Sequence, residues 1–254
     1  MGRAKEIIVK VIPGRLATPF VKAHHYSGKV VQNSQLHLGC FLDGGLHGVM
    51  SFGPSLDKRK ILGLVETENK TEATKWNEFL ELNRMAFDDY LPANSESRCL
   101  GIAFRMIRKN APHIKYIVSF SDATASGDGT IYRASGFRLT QIKENKTILV
   151  MPDGERITIL NFTNGYTEKK RICAKYGLPI WCGASIKPLL EMGAKYATGF
   201  QLRYIKLLTP DCRLAVQEIP FTKIDEVGAG MYRGEVSTRA SRHKKAEASE
   251  EAPA

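Results

Sequence analysis

Arg98-Cys99-Leu100-Gly101-Ile102-Ala103, an R-x-x-G-x-A run, opens a segment in which Leu100, Ala103, Phe104 and Ile107 recur at helical spacing. Asn94 or Ser95 can cap this helix, Arg98 falls in its first turn, and Pro112 closes it, so the predicted helix runs to about Asn110. Backbone N–H groups and the positive end of the dipole make a helix start a natural diphosphate site. A glycine at 101 lets a phosphate approach the backbone, and the small Ala103 avoids crowding. An ordinary helix start with an incidental glycine has the same sequence.

Strand-like runs lie on both sides. Glu78 to Phe87 alternates, with Phe79, Glu81, Asn83 and Met85 on one face and Leu80, Leu82, Arg84 and Ala86 on the other. Ile114 to Phe120 is an apolar run with the composition of a buried strand, and a Gly/Ser/Asp-rich loop follows from Asp122 to Gly129. Then comes Ile131-Tyr132-Arg133-Ala134-Ser135-Gly136-Phe137, which puts a tyrosine four residues before Gly-Phe, and another strand over residues 137 to 142. Upstream, residues 7 to 12 form a strand, and two apolar runs around Asp43-Gly44-Gly45 form a hairpin. Residues 148 to 151 and 157 to 160 read as a second hairpin, two helix-sized pieces flank Gly177-Leu178-Pro179, and residues 199 to 208 make a final strand.

The expected fold is therefore α/β in the broad sense (α+β): a mixed, mostly antiparallel sheet flanked by helices, with an insertion before the last core strand. The core spans residues 1–143 and 199–232, and the inserted hairpin and helical subdomain spans 144–198. A tail over 233–254, basic and then acidic and poor in large apolar residues, is expected to be disordered.

With 254 residues and 43% hydrophobic composition, the chain can bury a full core. No apolar run approaches the roughly 18 residues of a membrane span, and no signal-peptide pattern opens the chain. Five scattered cysteines without a C-x-x-C pair suit reduced, buried thiols and a cytoplasmic setting. The net charge of +11 is only partly in the tail, so the body itself is basic and suited to a polyanionic partner.

The order strand, helix, strand, short helix, strand, with R-x-x-G-x-A and Y-x-x-x-G-F in place, resembles the GNAT N-acetyltransferase superfamily. A closer resemblance is to the Mom DNA-modification proteins of bacteriophages. It is carried by His24-His25-Tyr26-Ser27, Glu81-Leu82-Asn83-Arg84-Met85, Asn94 to Arg98, Val118-Ser119-Phe120-Ser121-Asp122, Gly129 to Phe137 and Gly199 to Tyr204, over about residues 15 to 210.

That resemblance implies conversion of adenine in double-stranded DNA to its N6-carbamoylmethyl form, which protects phage DNA from restriction endonucleases in the host cytoplasm. It implies an acetyl-CoA or related acyl-CoA donor held by Ser97, Arg98, Gly101 and Ala103. Tyr132 would protonate a departing thiolate, and Asp122, Ser121, Ser119 and Glu81 are the further catalytic candidates. Tyr26, Asn83, Arg84 and His25 would meet a flipped adenine. Iron, which the resemblance also suggests, has only His24 and His25 as candidate ligands.

Each residue also has a plainer reading. Tyr132 can be a half-buried core ring, Asp122 with its serines a turn, Asn83 a structural hydrogen bond and Glu81 a solvated strand residue. The inserted helices, basic through Lys169, Lys170, Arg171, Lys175, Lys187 and Lys195, can enter a groove or simply pack on the last strand. Two other functions fit the same chain: a conventional acetyl-CoA-dependent N-acetyltransferase for a peptide or small amine, and a non-catalytic DNA-binding protein.

Overall fold

The computed structural model describes residues 3–55, 57–67, 74–180, 185–238 and 240–242. Its centre is a seven-stranded sheet. In spatial order the strands are β1 (Ile8–Val11), β2 (Leu36–Leu42), β3 (Gly45–Gly53), β5 (Phe79–Phe87), β6 (Tyr116–Ala123), β11 (Phe200–Leu207) and β7 (Arg138–Glu144). Every neighbouring pair is antiparallel except β5 and β6. The Asp43-Gly44 turn joins β2 to β3 with both residues at positive φ (51° and 81°), the type I′ backbone that suits strand twist.

One face of the sheet is covered by α2 (Ser95–Asn110) and α3 (Thr130–Ala134). The α2 stripe Cys99, Leu100, Ala103, Phe104 and Ile107 is buried against Leu38, Met50, Phe52, Leu82, Ile117, Leu139 and Leu202. On the opposite face, α1 (Gly14–His24) buries Ala17 and Val21 against Val49 and Ala86. The same face carries the small ladder of β4 (Val65–Thr67) with β12 (Cys212–Leu214), which packs on Phe79, Tyr116, Val118 and Ile205. The polar composition before Asn77 hid β4, whose three residues are too few to show a period.

The insertion contains β8 (Ile148–Val150), β9 (Arg156–Thr158), α4 (Ile159–Asn164), α5 (Tyr166–Tyr176), α6 (Lys187–Glu191) and β10 (Lys195–Tyr196). It has an apolar core of its own, made by Leu149, Ile157, Phe162, Ile172, Cys173 and Leu189. The expected strand over 157 to 160 ends at Thr158, where the chain turns into α4 and buries Phe162. With α6 only five residues long, the two inserted helices do not form a matched helical pair. Cys40, Cys99, Cys173 and Cys212 are free and buried, while Cys182 lies outside the described residues.

After α7 (Thr222–Glu226) comes a hairpin of β13 (Met231–Tyr232) and β14 (Glu235–Val236). Of the tail expected to be disordered from residue 233, residues 233–238 and 240–242 are described, and this part is fastened to the body at Asp128. That carboxylate is fully buried. It receives Arg242 at 2.7 Å, Arg133 at 3.1 Å, the Thr130 hydroxyl at 3.0 Å and the Met231 N–H at 3.4 Å. Residues 239 and 243–254, including Arg239, His243, Lys244 and Lys245, lie outside the described residues. Asp128→Ala leaves two largely buried guanidinium groups without their counter-ion. The expected cost is about 3 kcal/mol, seen as a lower urea midpoint at unchanged slope.

Candidate active site

The parallel pair β5/β6 holds its register for only three positions, Phe79↔Tyr116, Leu80↔Ile117 and Glu81↔Val118. Beyond that the strands part, while β3 keeps its hold on β5 and β11 on β6. Two inner edges are left facing one another across a gap, Leu82 to Met85 on one side and Phe120 to Asp122 on the other. The gap opens into a cleft of about 580 Å³. At the fork the Ser119 hydroxyl donates to the Leu82 carbonyl at 3.4 Å.

A β-bulge marks the β5 edge. Ser51 pairs with Arg84 and Phe52 with Leu82, so Asn83 is the extra residue. The Asn83 carboxamide oxygen accepts from Ser34 at 3.0 Å, and its buried Nδ2 is left to the Glu81 carboxylate. Arg84 is turned inward, donating to the carbonyls of Asn83 (2.7 Å) and Lys29 (2.9 Å). Burial lowers its pKa, which Tyr26, Glu81 and Tyr132 partly offset.

On the opposite edge, the two oxygens of Asp122 do different things. Oδ1 accepts the Thr124 N–H at 2.9 Å and so builds the turn. Oδ2 faces the cleft and accepts from the Tyr26 hydroxyl at 3.3 Å. The plain reading of Asp122 as a turn residue thus accounts for one oxygen and leaves the other free for chemistry. Ser121 also lines the cleft, but its hydroxyl donates to the Gly127 carbonyl and holds the loop.

Tyr132, on α3, lines the cleft with its phenol against the buried Ser119 hydroxyl. Burial raises its pKa; the Ser119 hydrogen bond and Arg84 oppose this and the Glu81 charge adds to it. The ring packs against Tyr204, whose hydroxyl donates to the Asp128 carbonyl. Gly129, at φ +83°, passes so close to Tyr204 that a Cβ would stand 2.5 Å from its ring, so this turn requires glycine. Tyr26 is likewise raised by burial and by the Asp122 charge, so both phenols are protonated at neutral pH.

His25 has its pKa lowered to about 4 by burial and by Arg84, and its Nδ1 lies 3.2 Å from the Ser27 N–H that donates to it. It is a neutral ring with its proton on Nε2. His24 stacks on Phe20 outside the cleft. Among the described residues no group of three or more His, Cys, Asp or Glu could hold a metal ion, so the expectation of iron at His24 and His25 finds no ligand set.

Glu81 and Ser119 do not line the cleft; both act on it through neighbours. The Glu81 pKa is raised by burial, against hydrogen bonds from Ser55 and Asn83 and the charge of Arg84.

The R-x-x-G-x-A residues are also placed differently from expectation. Asn94 makes no side-chain cap, and α2 begins at Ser95, so the N–H groups of Gly101 and Ala103 are spent inside the helix. The N–H groups without an acceptor among the described residues are those of Glu96 and Ser97, which line the cleft. Arg98 turns away to donate to the Lys5 carbonyl at 3.1 Å, and Ala103 is core.

Gly101 instead opens a furrow. Ser97, Gly101, Arg105 and Arg108 follow one face of α2, from the cleft to a hollow of about 240 Å³ also lined by Ser135 and Lys206. No acidic side chain lines the hollow, and burial together with Arg108 and Arg138 lowers the Lys206 pKa. Sequence reasoning passed over Arg105, Arg108 and Lys206, although the i, i+4, i+8, i+11 spacing from Ser97 was visible. It also missed Met231, Tyr232 and Arg233, which border the cleft from far along the chain.

Fold and site together define an α+β domain built on a splayed sheet, with a helix start, two phenols and a carboxylate at the opening. The chain belongs to the Mom protein family, whose sequence profile matches residues 6–223. It is 37% identical over 138 residues to the methylcarbamoylase mom of Escherichia phage Mu, a match that spans 53% of each protein, about half the length of that relative. Among solved structures it is similar to an IAA acetyltransferase from Bacillus cereus (10% identity, 79% of this chain and 99% of that one, TM-score 0.40). It is also similar to the ribosomal-protein-S18-alanine N-acetyltransferase of Escherichia coli (9%, 80% and 94%, TM-score 0.41). Likenesses this loose add no weight to the topology itself.

Two titrations check the electrostatics. The His25 ring is expected to titrate near pH 4, and an NMR midpoint near the ordinary 6.5 would contradict its burial beside Arg84. For Glu81, a raised folded-state pKa means the ionised form costs stability above the ordinary value of 4.5. Glu81→Gln should therefore melt above the wild type at pH 7, with the gap closing below pH 4.5.

Proposed function

We propose that this protein is a phage DNA-modifying transferase that converts adenine to N6-carbamoylmethyladenine in double-stranded DNA and so shields it from restriction endonucleases. The observation that carries this reading is the cleft between the parted strands, where Tyr26, Asn83, Arg84, Asp122 and Tyr132 meet. Family membership, the similarity to the methylcarbamoylase of phage Mu and the net charge of +11 support it. No helix among the described residues is long and apolar enough to cross a membrane, and we place the activity in the bacterial host cytoplasm.

In this reading adenine is flipped from the duplex into the cleft. The buried Nδ2 of Asn83, which has Glu81 as its neighbour, donates to a ring nitrogen, and Tyr26 provides a face for stacking. Replacement of one N6 hydrogen by a carbamoylmethyl group releases a proton, which Asp122 Oδ2 accepts. Tyr132, protonated at neutral pH, donates to the departing group.

The donor is of the acyl-CoA type, its anionic handle bound by the Glu96 and Ser97 N–H groups and by Arg105, Arg108 and Lys206 along the furrow. An acyl thioester loses its thiolate from the carbonyl carbon, whereas the product has N6 on the methylene carbon and the amide nitrogen on the carbonyl carbon. Transfer therefore requires either a leaving group on the methylene or a rearrangement that exchanges the two nitrogens after acyl transfer. An acetyl thioester alone has both carbons but no amide nitrogen, so the donor or a co-reactant must bring that nitrogen.

Expression in bacteria followed by mass spectrometry of plasmid nucleosides tests the reading. A carbamoylmethylated deoxyadenosine is expected from the wild type. It should fall by about 100-fold or more in Asp122→Asn and Tyr132→Phe variants that fold normally. Unmodified plasmid from well-expressed soluble wild type, or thioester consumption that needs no DNA, would exclude it. For the donor, Arg105→Ala with Arg108→Ala is expected to weaken calorimetric binding of coenzyme A by about tenfold.

A further inference from the structure

The inserted subdomain takes no part in the chemistry above, yet its stem is tied to a cleft residue and one of its helices carries charge toward the same side. Its stem leaves β7 at Asn145, whose Nδ2 donates to Thr124 Oγ1 at 2.8 Å and to Asp122 Oδ1 at 3.5 Å. The chain returns through Gly199 and Phe200, opposite Ala123. Further out, Glu168 in the first turn of α5 is held by Arg171 and also feels the charge of Lys29, the residue whose carbonyl accepts from Arg84.

The start of α5 is thus within electrostatic reach of Lys29, on the side of the cleft that Arg84 borders, and there α4 and α5 meet in a tight elbow. Gly165 N–H donates to Asn161 and the Lys169 N–H donates to Gly165, both at 2.9 Å, and a Cβ at 165 would stand 2.6 Å from the Asn161 carbonyl. From this fixed elbow Tyr166 projects into solvent, 68% exposed, although the subdomain buries Leu149, Ile157, Phe162 and Ile172.

Lys169 and Lys170, three and four residues on, share the helix face of Tyr166. Arg171 and Lys175 are engaged by Glu155, Glu168 and Asp153, whereas Lys169 and Lys170 make no ion pair among the described residues. A rigidly mounted aromatic ring flanked by two uncommitted cations matches a duplex, with stacking surface inside and phosphates on either side.

We propose that Tyr166 is the wedge that enters the base stack and fills the place of the flipped adenine, with Lys169 and Lys170 on the neighbouring phosphates. This rests on the reading of the cleft as an adenine site. It makes Tyr166 a positioning residue for the acceptor, apart from the chemistry, and gives the insertion a role in DNA opening.

The test uses the full-length protein and duplex oligonucleotides covering all neighbouring-base contexts, with 2-aminopurine in place of adenine. In one set it faces thymine and in the other an abasic site. Wild type should raise 2-aminopurine fluorescence with both sets. Tyr166→Ala should need about tenfold more protein for the same rise on the paired set and behave as wild type on the abasic set, and Tyr166→Trp should restore the paired response.

A Tyr166→Ala variant equal to wild type on paired duplexes, or impaired equally on both sets, would overturn the wedge. So would a change in the sedimentation of the free protein, which would assign the ring to a protein contact. Wild type that binds both sets without any fluorescence rise would instead sink the adenine-site reading and the wedge with it.

Discussion

The short life of the β5/β6 pairing governs the rest of the structure. A parallel pair that holds for three positions and then parts exposes backbone groups in the middle of a sheet, where burial without partners costs free energy. The protein answers on each edge. The bulge at Asn83 and the guanidinium of Arg84 occupy the β5 side, and Ser119 closes the fork. On the β6 side, the Asp122 carbonyl receives the N–H groups of Ser126 and Gly127 as the loop curls back. What remains open is polar, walled by protein and large enough for a small planar molecule, and it exists only because neighbouring strands β3 and β11 keep the two halves of the sheet apart.

That constraint explains which residues sequence reasoning could find. Tyr26 follows α1, Asn83 and Arg84 sit at the β5 bulge, Ser97 in the first turn of α2, Ser121 and Asp122 near the end of β6 and Tyr132 on α3, and all of them reach the cleft. Period and turn chemistry place such positions well, because each is fixed by its own segment. Arg98 and Ala103 belong to the same motif yet miss the cleft: the helix begins where the sequence put it, but spacing along a helix does not say which of its faces meets the cleft. With α2 starting at Ser95, an arginine three residues further on already points toward the N-terminal segment.

The other misses have one cause, contact between residues distant in the chain. Asp128 reads as a loop residue in a polar stretch, and nothing near it reveals that Arg242 will return to it. The tail composition argued for disorder, correctly noting few apolar residues, but a single buried carboxylate outweighs composition at that point. Likewise, three cations on two elements form the hollow beyond Gly101 only after α2 and β11 pack. The change in pattern after residue 143 announces the insertion, whereas the tie of its stem to Asp122 and Thr124 depends on Asn145 meeting residues far along the chain.

The protonation states bear on the choice of acceptor. An alkyl amine is an ammonium ion at neutral pH and must lose a proton before it can attack, which calls for a base facing it in the ground state. Among the described residues three carboxylates line the cleft, those of Glu96, Asp122 and Asp128. His25 is neutral with Nδ1 already engaged by the Ser27 N–H, Asp128 is committed to two arginines, and Glu81 stands outside the lining. The exocyclic amine of adenine is uncharged at neutral pH because its lone pair is delocalised into the ring. It needs only a hydrogen-bond acceptor that takes the proton as the new bond forms. One carboxylate oxygen, set by a turn through its partner oxygen and bridged to a protonated tyrosine, meets that lesser requirement.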